Sequence, residues 1–429
     1  MFLNNFFRKR SSFTRNVLLI GGGTIFAQAV NMLLSPIITR LYTPEDYGIL
    51  SVYSSILGLI AIISSLKYEL AIPIADDDET AVNILLLCFI ILIGFILCIT
   101  VILVFAGTWI IRIFNIKNFN DFKFYIPFGV FLIGSYTIFT QWAFRKRDYA
   151  AISKTKYFQT ISQNIVKIGL GIFHSSYIGL LLGTIAGEST GITTLFIPFL
   201  KKGRQLLKNI DISRIKCGAK RYMNFPRFTV LGQVFNSSGT YLPPLLMSYL
   251  FSNQMVGYYG LAHTVVSLPI AVIGDSVSDV FYGEAAVLAK KDIPKLRRLV
   301  LKLTCQISLI SLIPLIILFF WGPFLFSMVF GEAWRESGIY ARIIAALILF
   351  RFISAPIDKV YSIFEKQKTA LFLNILRAVV ILIVFFFSKQ LKVDSYLFLG
   401  LYSGAMSIIY IIIFFSALKI IDDKIKGFA

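Results

Sequence analysis

Charged and metal-binding side chains are scarce in this chain. Only 15% of its 429 residues are Asp, Glu, Lys or Arg, whereas a soluble domain has about 25%, and the chain holds four cysteines and two histidines. Three of the cysteines lie inside apolar runs, which argues against a disulfide framework. His174 and His263 are isolated in the sequence, so no metal site is expected. The same figures exclude a soluble globular protein of this size and a disordered chain.

Long apolar runs, in contrast to charged residues, are abundant in this chain. Hydrophobic residues make up 57% of the chain, including 41 Phe and 20 Tyr. A membrane-spanning helix needs roughly 20 apolar residues, and the runs are continuous rather than alternating, which argues against a transmembrane β-barrel. The sequence therefore predicts an all-α integral membrane protein with twelve transmembrane helices. Their approximate limits are 17–40, 48–68, 82–106, 125–144, 158–174, 177–200, 228–250, 257–282, 300–322, 339–363, 369–388 and 395–418.

Lys and Arg are divided unequally between alternate loops. The formal net charge is +20, and 30 of the 42 basic residues fall at the chain ends and in every second loop, against 7 in the intervening loops. Short loops rich in Lys and Arg lie on the cytoplasmic side of a membrane. This pattern places the N- and C-termini in the cytoplasm. The basic surplus is then a topology signal, and no nucleic-acid partner is expected.

The two halves of the chain carry similar landmarks. Pro36 and Pro244 are 208 residues apart, and Gly48 and Gly257, each at the start of an apolar segment, are 209 apart. We therefore predict two six-helix lobes with the same orientation, a parallel repeat. The N-terminal lobe comprises residues 1–200, the C-terminal lobe residues 228–429, and a basic cytoplasmic linker, 201–227, joins them.

Several charged residues lie inside the predicted spans. Lys167, Glu188, Arg351 and Arg377 are far from the span ends, and a charge inside a membrane is costly unless it faces a cavity or a partner. One interpretation is a polar, partly cationic cavity between the halves that accepts an anionic headgroup. The alternative is structural ion pairing, such as Arg351 with Asp358, which are seven residues apart and share a helix face.

An acidic run precedes the third apolar segment. Asp76-Asp77-Asp78-Glu79 contains a D-x-D pattern, which in glycosyltransferases can hold a metal-bound sugar nucleotide. Negative charge also stabilises the N-terminus of a helix, and that is the interpretation we favour.

Three stretches together resemble a known family. They are Ser35-Pro36 through Tyr47-Gly48, Asn224-Phe225-Pro226 through Gly257-Tyr258-Tyr259, and Trp334 to Tyr340 followed by Ser354-Ala355-Pro356. Their order and spacing are similar to those of Wzx-type polysaccharide flippases of the multidrug/oligosaccharidyl-lipid/polysaccharide (MOP) superfamily. The resemblance implies a transporter, not an enzyme, in the bacterial cytoplasmic (inner) membrane. It would move undecaprenyl-pyrophosphate-linked oligosaccharide repeat units by alternating access, for O-antigen, capsule or exopolysaccharide synthesis.

A pyrophosphate-linked sugar needs cationic and hydrogen-bonding side chains together with access to lipid. For the pyrophosphate the candidates are Arg351, Arg377 and Lys167, with Arg40 nearer the outer side. For sugar hydroxyls they are Asn31, Gln163 and Asn236. Glu188 and Asp275 are candidates for proton or Na⁺ coupling. No catalytic residue and no cofactor are expected; the partners would be the lipid-linked substrate, membrane lipids and other membrane proteins of polysaccharide assembly.

Two other functions remain open at this point. A drug or cation exporter of the same superfamily would share the fold, and its cavity should favour acidic over basic residues. A membrane polymerase or ligase acting on the same lipid-linked sugar would be an enzyme. Enzymes that resemble the O-antigen polymerases carry a large outer loop, whereas the longest outer connections here are about 107–124 and 323–338.

Overall fold

Helices account for nearly all of the described structure. The computed structural model describes residues 12–114, 119–203, 210–270 and 274–426, and within these ranges no β-strand occurs. The all-α prediction is confirmed. The main helices, in chain order, are α1 Ser12–Leu41, α2 Pro44–Ile63, α3 Asp78–Phe114, α4 Tyr125–Arg145, α5 Tyr149–Ile172, α6 Ser176–Gly203, α7 Ile212–Arg221, α8 Val230–Leu250, α9 Asn253–Pro269, α10 Asp275–Lys291, α11 Ile293–Phe330, α12 Arg335–Ile357, α13 Gln367–Leu391 and α14 Ser395–Lys426.

The length and composition of the helices make this a multi-pass membrane protein. Among the described residues, eight helical stretches are long and apolar enough to cross a membrane. They are Gly21–Leu41, Pro44–Ile63, Asp78–Gly107, Ser176–Lys201, Ile293–Phe330, Glu332–Ile363, Gln367–Leu391 and Ser395–Lys426. Of the other predicted segments, three overlap the helices α4, α5 and α8, and the segment 257–282 overlaps α9 and the start of α10. The count of twelve spans and the cytoplasmic position of both termini stay predictions.

The chain divides into two compact units. The first comprises Met1–Tyr42 and Tyr53–Val234, and the second comprises Thr43–Val52 and Phe235–Ala429. Helix α2 thus contributes its first half to the second unit and its remainder to the first. The predicted lobes, with limits 1–200 and 228–429 and the linker 201–227, are a different division of the chain and stay a prediction.

Glycines bring α5 and α6 close together in the first unit. Gly183, Gly187 and Gly191 recur every fourth residue of α6, so they share one face. A Cβ atom on Gly183 would lie 2.3 Å from Cγ of Lys167, and one on Gly191 would lie 2.3 Å from Nε2 of Gln159. Small residues at such spacing allow two membrane helices to approach closely. The polar side chains of α5 therefore lie directly on a glycine face of α6.

The N-terminal ends of α2 and α9 cross in the second unit, and each helix contributes a glycine to the contact. A Cβ on Gly48 of α2 would lie 1.8 Å from the carbonyl oxygen of Asn253, and one on Gly257 of α9 would lie 1.7 Å from that of Pro44. Each glycine thus touches the residue four positions before the other glycine. These are the two glycines that stand 209 residues apart in the sequence. The two landmarks of the predicted repeat therefore lie at one helix crossing.

Helix α12 lies in the interior of the second unit. Trp334, the residue directly before it, is 1% exposed, and its ring packs edge-on against Tyr47 with centroids 4.8 Å apart. Tyr340 of α12 donates to Oγ of Ser395 at 2.6 Å, and Ser354 donates to the carbonyl of Tyr410 at 3.1 Å. Because α12 is held in this way, its later part, which carries Arg351, lies inside the unit.

The acidic run begins α3 and holds the helix α7 in the first unit. Asp78 pairs with Arg145 at 2.8 Å and with Lys146. On α7, Arg214 pairs with Glu79 and Arg221 pairs with Asp76. Asp76 and Glu79 raise the pKa of their guanidinium partners, which lie outside the candidate spans. Three of the four carboxylates of the run are thus paired with basic side chains.

Asp77 caps the start of α3, and its contribution to the stability of this helix end can be tested. Its carboxylate accepts from the backbone N–H of Thr80 at 2.6 Å and from the Thr80 hydroxyl at 3.1 Å, and the backbone bond holds the pKa of Asp77 below its ordinary value. The ionised cap is therefore fully effective above the ordinary aspartate pKa and is lost as the pH falls through the lower folded value. Asp77→Ala should destabilise the start of α3 by about 1 kcal/mol, and Asp77→Asn by less. Amide hydrogen exchange at residues 78–82 measures this; equal protection in all three proteins would contradict it.

Candidate ligand-binding site

The second unit contains a polar cavity of about 660 Å³. This volume is within the roughly 300–1,000 Å³ of small-molecule sites in proteins. Helices α8, α10, α12, α13 and α14 contribute to its wall, together with the residue after α9. The lining residues are Asn236, Ser237, Gly239, Thr240, Tyr241, Ile270, Ser278, Arg351, Ala355, Asp358, Lys359, Arg377 and Tyr410.

Arg377 is the most constrained cation of the cavity. It is 6% exposed, and its guanidinium donates to Oδ1 of Asn236 at 2.9 Å, to the hydroxyl of Tyr410 at 3.3 Å and to Oδ1 of Asn374. A Cβ on Gly239 would lie 3.4 Å from Cδ of Arg377, so a glycine leaves room for the arginine side chain. The Nε–H is buried without a hydrogen-bond partner among the described residues. Arg377 is therefore held in place by neutral groups, and its Nε–H makes no hydrogen bond with the described residues.

Arg351 and Asp358 line the same cavity without forming an ion pair. Arg351 donates to Oγ1 of Thr240 at 3.4 Å. Within the described parts of the chain, no carboxylate lies within ion-pair distance of Arg351, Arg377 or Lys359. The pairing of Arg351 with Asp358, which the sequence left open, is thus not formed. Asp358 follows the last residue of α12, and two helical turns separate it from Arg351, about 10 Å along the axis.

The charges of the cavity favour an anionic ligand. Among the described lining side chains, three are cationic, those of Arg351, Lys359 and Arg377, and one is a carboxylate, that of Asp358. An arginine presents a planar fork of donors that matches phosphate oxygens, and such charged hydrogen bonds are about twice as strong as neutral ones. The amide of Asn236 and the hydroxyls of Ser237, Thr240 and Tyr241 add neutral donors and acceptors. A phosphate with an attached polyol fits this combination.

The first unit holds a second group of the predicted residues. Lys167 and Gln163 lie on the face of α5 that packs on the glycines of α6. Lys167 is 8% exposed, and the hydroxyl of Tyr42 donates to its backbone carbonyl at 2.7 Å. Glu188 of α6 accepts from Nε2 of Gln159 at 3.4 Å. These polar side chains lie along the contact between α5 and α6, and we call them the polar seam.

The remaining predicted residues lie apart from these groups. Asn31 of α1 accepts from Nδ2 of Asn164 at 2.8 Å, which links α1 to α5. Arg40 is exposed near the end of α1 and donates to the carbonyl of Pro36 at 2.9 Å. Asp275 is the first residue of α10, and its side chain lies outside the described part of the structure.

Sequence reasoning missed Asn374 and Tyr410, two of the neutral partners of Arg377. It also missed Thr240, the partner of Arg351. Asn374 precedes Arg377 by three residues on α13, so the helical spacing could have identified it. Tyr410 and Thr240 lie on other helices and carry no sequence signal of their own. Of the predicted residues, Asn236, Arg351 and Arg377 do come together at one cavity.

The fold is similar to those of solved membrane transporters. It is similar to a multidrug resistance transporter of the MATE family in an inward-facing conformation, with a TM-score of 0.74, 14% identity, and coverage of 94% of this chain and 96% of that one. It is also similar to the lipid II flippase MurJ in an inward closed conformation, with a TM-score of 0.70, 12% identity, and coverage of 94% and 87%. A MATE transporter in a bent conformation gives a TM-score of 0.55 at 12% identity, with coverage of 96% of both chains.

The sequence identifies the family within this fold. Residues 37–338, well over half of the chain, match the model of a family described as polysaccharide biosynthesis protein. The chain belongs to this polysaccharide biosynthesis family. No curated protein matches it significantly.

Proposed function

We propose that this protein moves undecaprenyl-pyrophosphate-linked oligosaccharide repeat units from the inner to the outer leaflet of the bacterial cytoplasmic membrane. The observation that carries the proposal is the cavity in which Arg351 and Arg377 lie without a carboxylate partner among the described residues. Membership of a polysaccharide biosynthesis family supports a glycan cargo. One neighbour in fold is described as a lipid II flippase, a protein that moves a lipid. Alternating access is the transport mechanism we propose.

The residues of the cavity suggest how such a cargo is held. Arg351 and Arg377 would bind the pyrophosphate, with Lys359 as a third cation. Asn236 would exchange its bond from Arg377 for one with the sugar, and Thr240 would do the same with its bond from Arg351. Because both arginines are already bound to neutral acceptors, an anion can replace those bonds without first breaking an ion pair.

The predicted residues of the first unit stay part of the proposal in supporting roles. Lys167 and Arg40 are further candidates for the anion, and Asn31 and Gln163 for sugar hydroxyls. Glu188 and Asp275 are candidates for proton or Na⁺ coupling. For Glu188 the structural support is its position in the polar seam beside Gln159.

The charge of the cavity also bears on the drug-exporter alternative. A site for organic cations needs carboxylates in excess, because like charges repel the cargo. Among the described side chains that line the cavity of the second unit, three are cations and one is a carboxylate. The cavity therefore supports an anionic cargo better than a cationic drug.

A deletion strain tests the proposed function in cells. Loss of the protein should abolish surface polysaccharide and cause single lipid-linked repeat units to accumulate, identified by mass spectrometry. In spheroplasts those units should resist a glycosidase added outside, because they remain in the inner leaflet. Accumulated units that the glycosidase digests would indicate a polymerase or ligase instead. Normal polysaccharide together with increased sensitivity to cationic drugs would indicate a drug exporter.

A further inference from the structure

A second cavity of the same unit is almost entirely apolar. Its volume is about 460 Å³, and it lies between α9, α11 and α12. Among its lining residues Ser311 alone has a polar side chain, and that hydroxyl donates to the carbonyl of Ile307 at 2.6 Å. Its lining, which we call the apolar groove, is formed by Val265, Val266, Pro269, Ile270, Ile310, Ser311, Ile313, Pro314, Leu315, Ile317, Leu318, Ala345, Ile348, Leu349 and Phe352.

The groove is closed at its base and open along α11. Val266, Ile348 and Phe352 are buried at the base, whereas Ile310 and Ile313 on α11 are more than half exposed. Pro269 of α9 and Pro314 of α11 both lie in the wall. A proline inside a helix removes a backbone hydrogen bond and bends the helix, which can leave a gap between neighbours. The open side consists of apolar residues of a candidate span, so lipid chains can reach it.

The apolar groove adjoins the cationic cavity. Ile270 lines both of them, and on α12 the groove residue Phe352 directly follows the cavity residue Arg351. A Cβ on Gly274 would lie 3.2 Å from Cγ2 of Ile270 and 3.3 Å from Cε2 of Phe352, so Gly274 packs close to both residues. The second unit thus holds a polar, cationic cavity and an apolar groove that meet at Ile270.

We propose that the apolar groove binds the polyprenyl chain of the transported lipid while its pyrophosphate occupies the cationic cavity. This inference rests on the proposed function. The groove has no hydrophobic advantage over the bilayer, because lipid tails are equally apolar, so its contribution is packing and orientation. It would fix the chain beside the headgroup site and align the pyrophosphate with Arg351.

A phospholipid acyl chain is the competing occupant. A pyrophosphate carries more negative charge than the phosphodiester of a phospholipid, and the adjoining cavity offers three cations. A ligand that fills both sites therefore needs a strongly anionic head and an apolar chain attached to it. A polyprenyl pyrophosphate meets both conditions.

Photo-crosslinking with purified full-length protein tests the inference. The probe is a polyprenyl pyrophosphate with a diazirine in its chain, and a phospholipid with a diazirine in one acyl chain is run in parallel. Mass spectrometry should place the polyprenyl label on α9 and α11 groove residues, and unlabelled polyprenyl pyrophosphate should compete it away. Unlabelled phospholipid should not displace the polyprenyl probe, and the phospholipid probe should not label these residues saturably.

Matched variants on α11 make the test specific to the groove. Ile310 and Ile317 line it and are 55% and 42% exposed; their neighbours Leu309 and Ile316 do not line it and are 60% and 48% exposed. Ile310→Trp and Ile317→Trp should fill the groove and weaken probe binding by about tenfold, a loss of packing contacts. Leu309→Trp and Ile316→Trp should leave probe binding unchanged.

The outcomes separate this inference from the proposed function. Saturable binding that depends on Arg351, with labels outside the groove or equal effects of all four Trp variants, would overturn the groove and leave the proposed function intact. Saturable labelling of the groove by phospholipid would also overturn it. If no saturable binding of the polyprenyl pyrophosphate occurs at all, the proposed function fails as well.

Discussion

Arg377→Ala is expected to abolish polysaccharide export while the protein still folds and reaches the membrane. The guanidinium makes three hydrogen bonds to neutral groups and forms no ion pair with the described residues, so its loss breaks no ion pair among them. A hydrogen bond to a charged group contributes about 1.5–3 kcal/mol, so losing two bonds to pyrophosphate should weaken binding at least about 100-fold. Arg377→Lys should restore only part of the export, because lysine lacks the planar fork.

Arg351→Ala should give the same phenotype, and α12 offers a matched control. Arg342 lies on the same helix, donates to the carbonyl of Phe320 at 3.5 Å and does not line the cavity. Arg342→Ala should leave export unchanged. Immunoblots measure protein level, and gel laddering of surface polysaccharide measures export. Equal export by wild type and Arg351→Ala at equal protein level would remove Arg351 from the site.

Asp358 distinguishes ligand binding from charge compensation. Because Arg351 and Asp358 do not pair, Asp358→Ala combined with Arg351→Ala should not restore export. If Arg351 only neutralised Asp358 at longer range, removal of both charges would restore it, since buried charged pairs can often be replaced by apolar groups at little cost. Rescue by the double substitution would contradict the assignment of Arg351 to the anion.

Gly257→Ala should cause the largest loss of stability among conservative changes. The added Cβ would lie 1.7 Å from the carbonyl oxygen of Pro44, so α2 and α9 would have to separate. Overpacking costs typically 1–3 kcal/mol, and a clash with backbone on both helices should cost at least about 3 kcal/mol. Gly48→Ala should behave alike, because its Cβ would lie 1.8 Å from the carbonyl oxygen of Asn253.

A second glycine serves as the control for this prediction. A Cβ on Gly404 of α14 would have no atom within 4 Å. In a helix interior alanine is favoured over glycine by roughly 0.5–1 kcal/mol, so Gly404→Ala should be neutral or slightly stabilising. The two substitutions therefore have opposite expected signs. Thermal unfolding of the detergent-solubilised proteins, followed by size-exclusion chromatography, measures both; equal melting temperatures would show that the crossing is not tight.

The sequence predicted the fold class because apolar runs of span length have few other structures available. It also indicated Arg351, Arg377 and Asn236, since charged and amide residues inside spans are costly and tend to share cavities. It could not show that Tyr410 is a partner of Arg377, because Tyr410 comes from another helix and tertiary packing alone brings them together. The glycine face of α6 was present as a spacing of four residues, but the partner helix of such a face is set by the fold.

Helix periodicity also suggested a contact that does not form. Residues seven apart share a face, which made Arg351 and Asp358 a plausible pair. Sharing a face is not contact: the pair is two turns apart, and α12 ends at Ile357, next to Pro356. Arg351 instead turns to Thr240 of α8.

Reconstituted flipping is the most direct test of the central claim. Purified protein is placed in vesicles with a lipid-linked oligosaccharide, and a membrane-impermeant glycosidase reports the fraction of glycan on the outside. The account predicts that the protected fraction becomes accessible with wild-type protein and with Arg342→Ala, but not with Arg351→Ala or Arg377→Ala. Equal access in all four samples, or no gain over protein-free vesicles with the wild type, would contradict it.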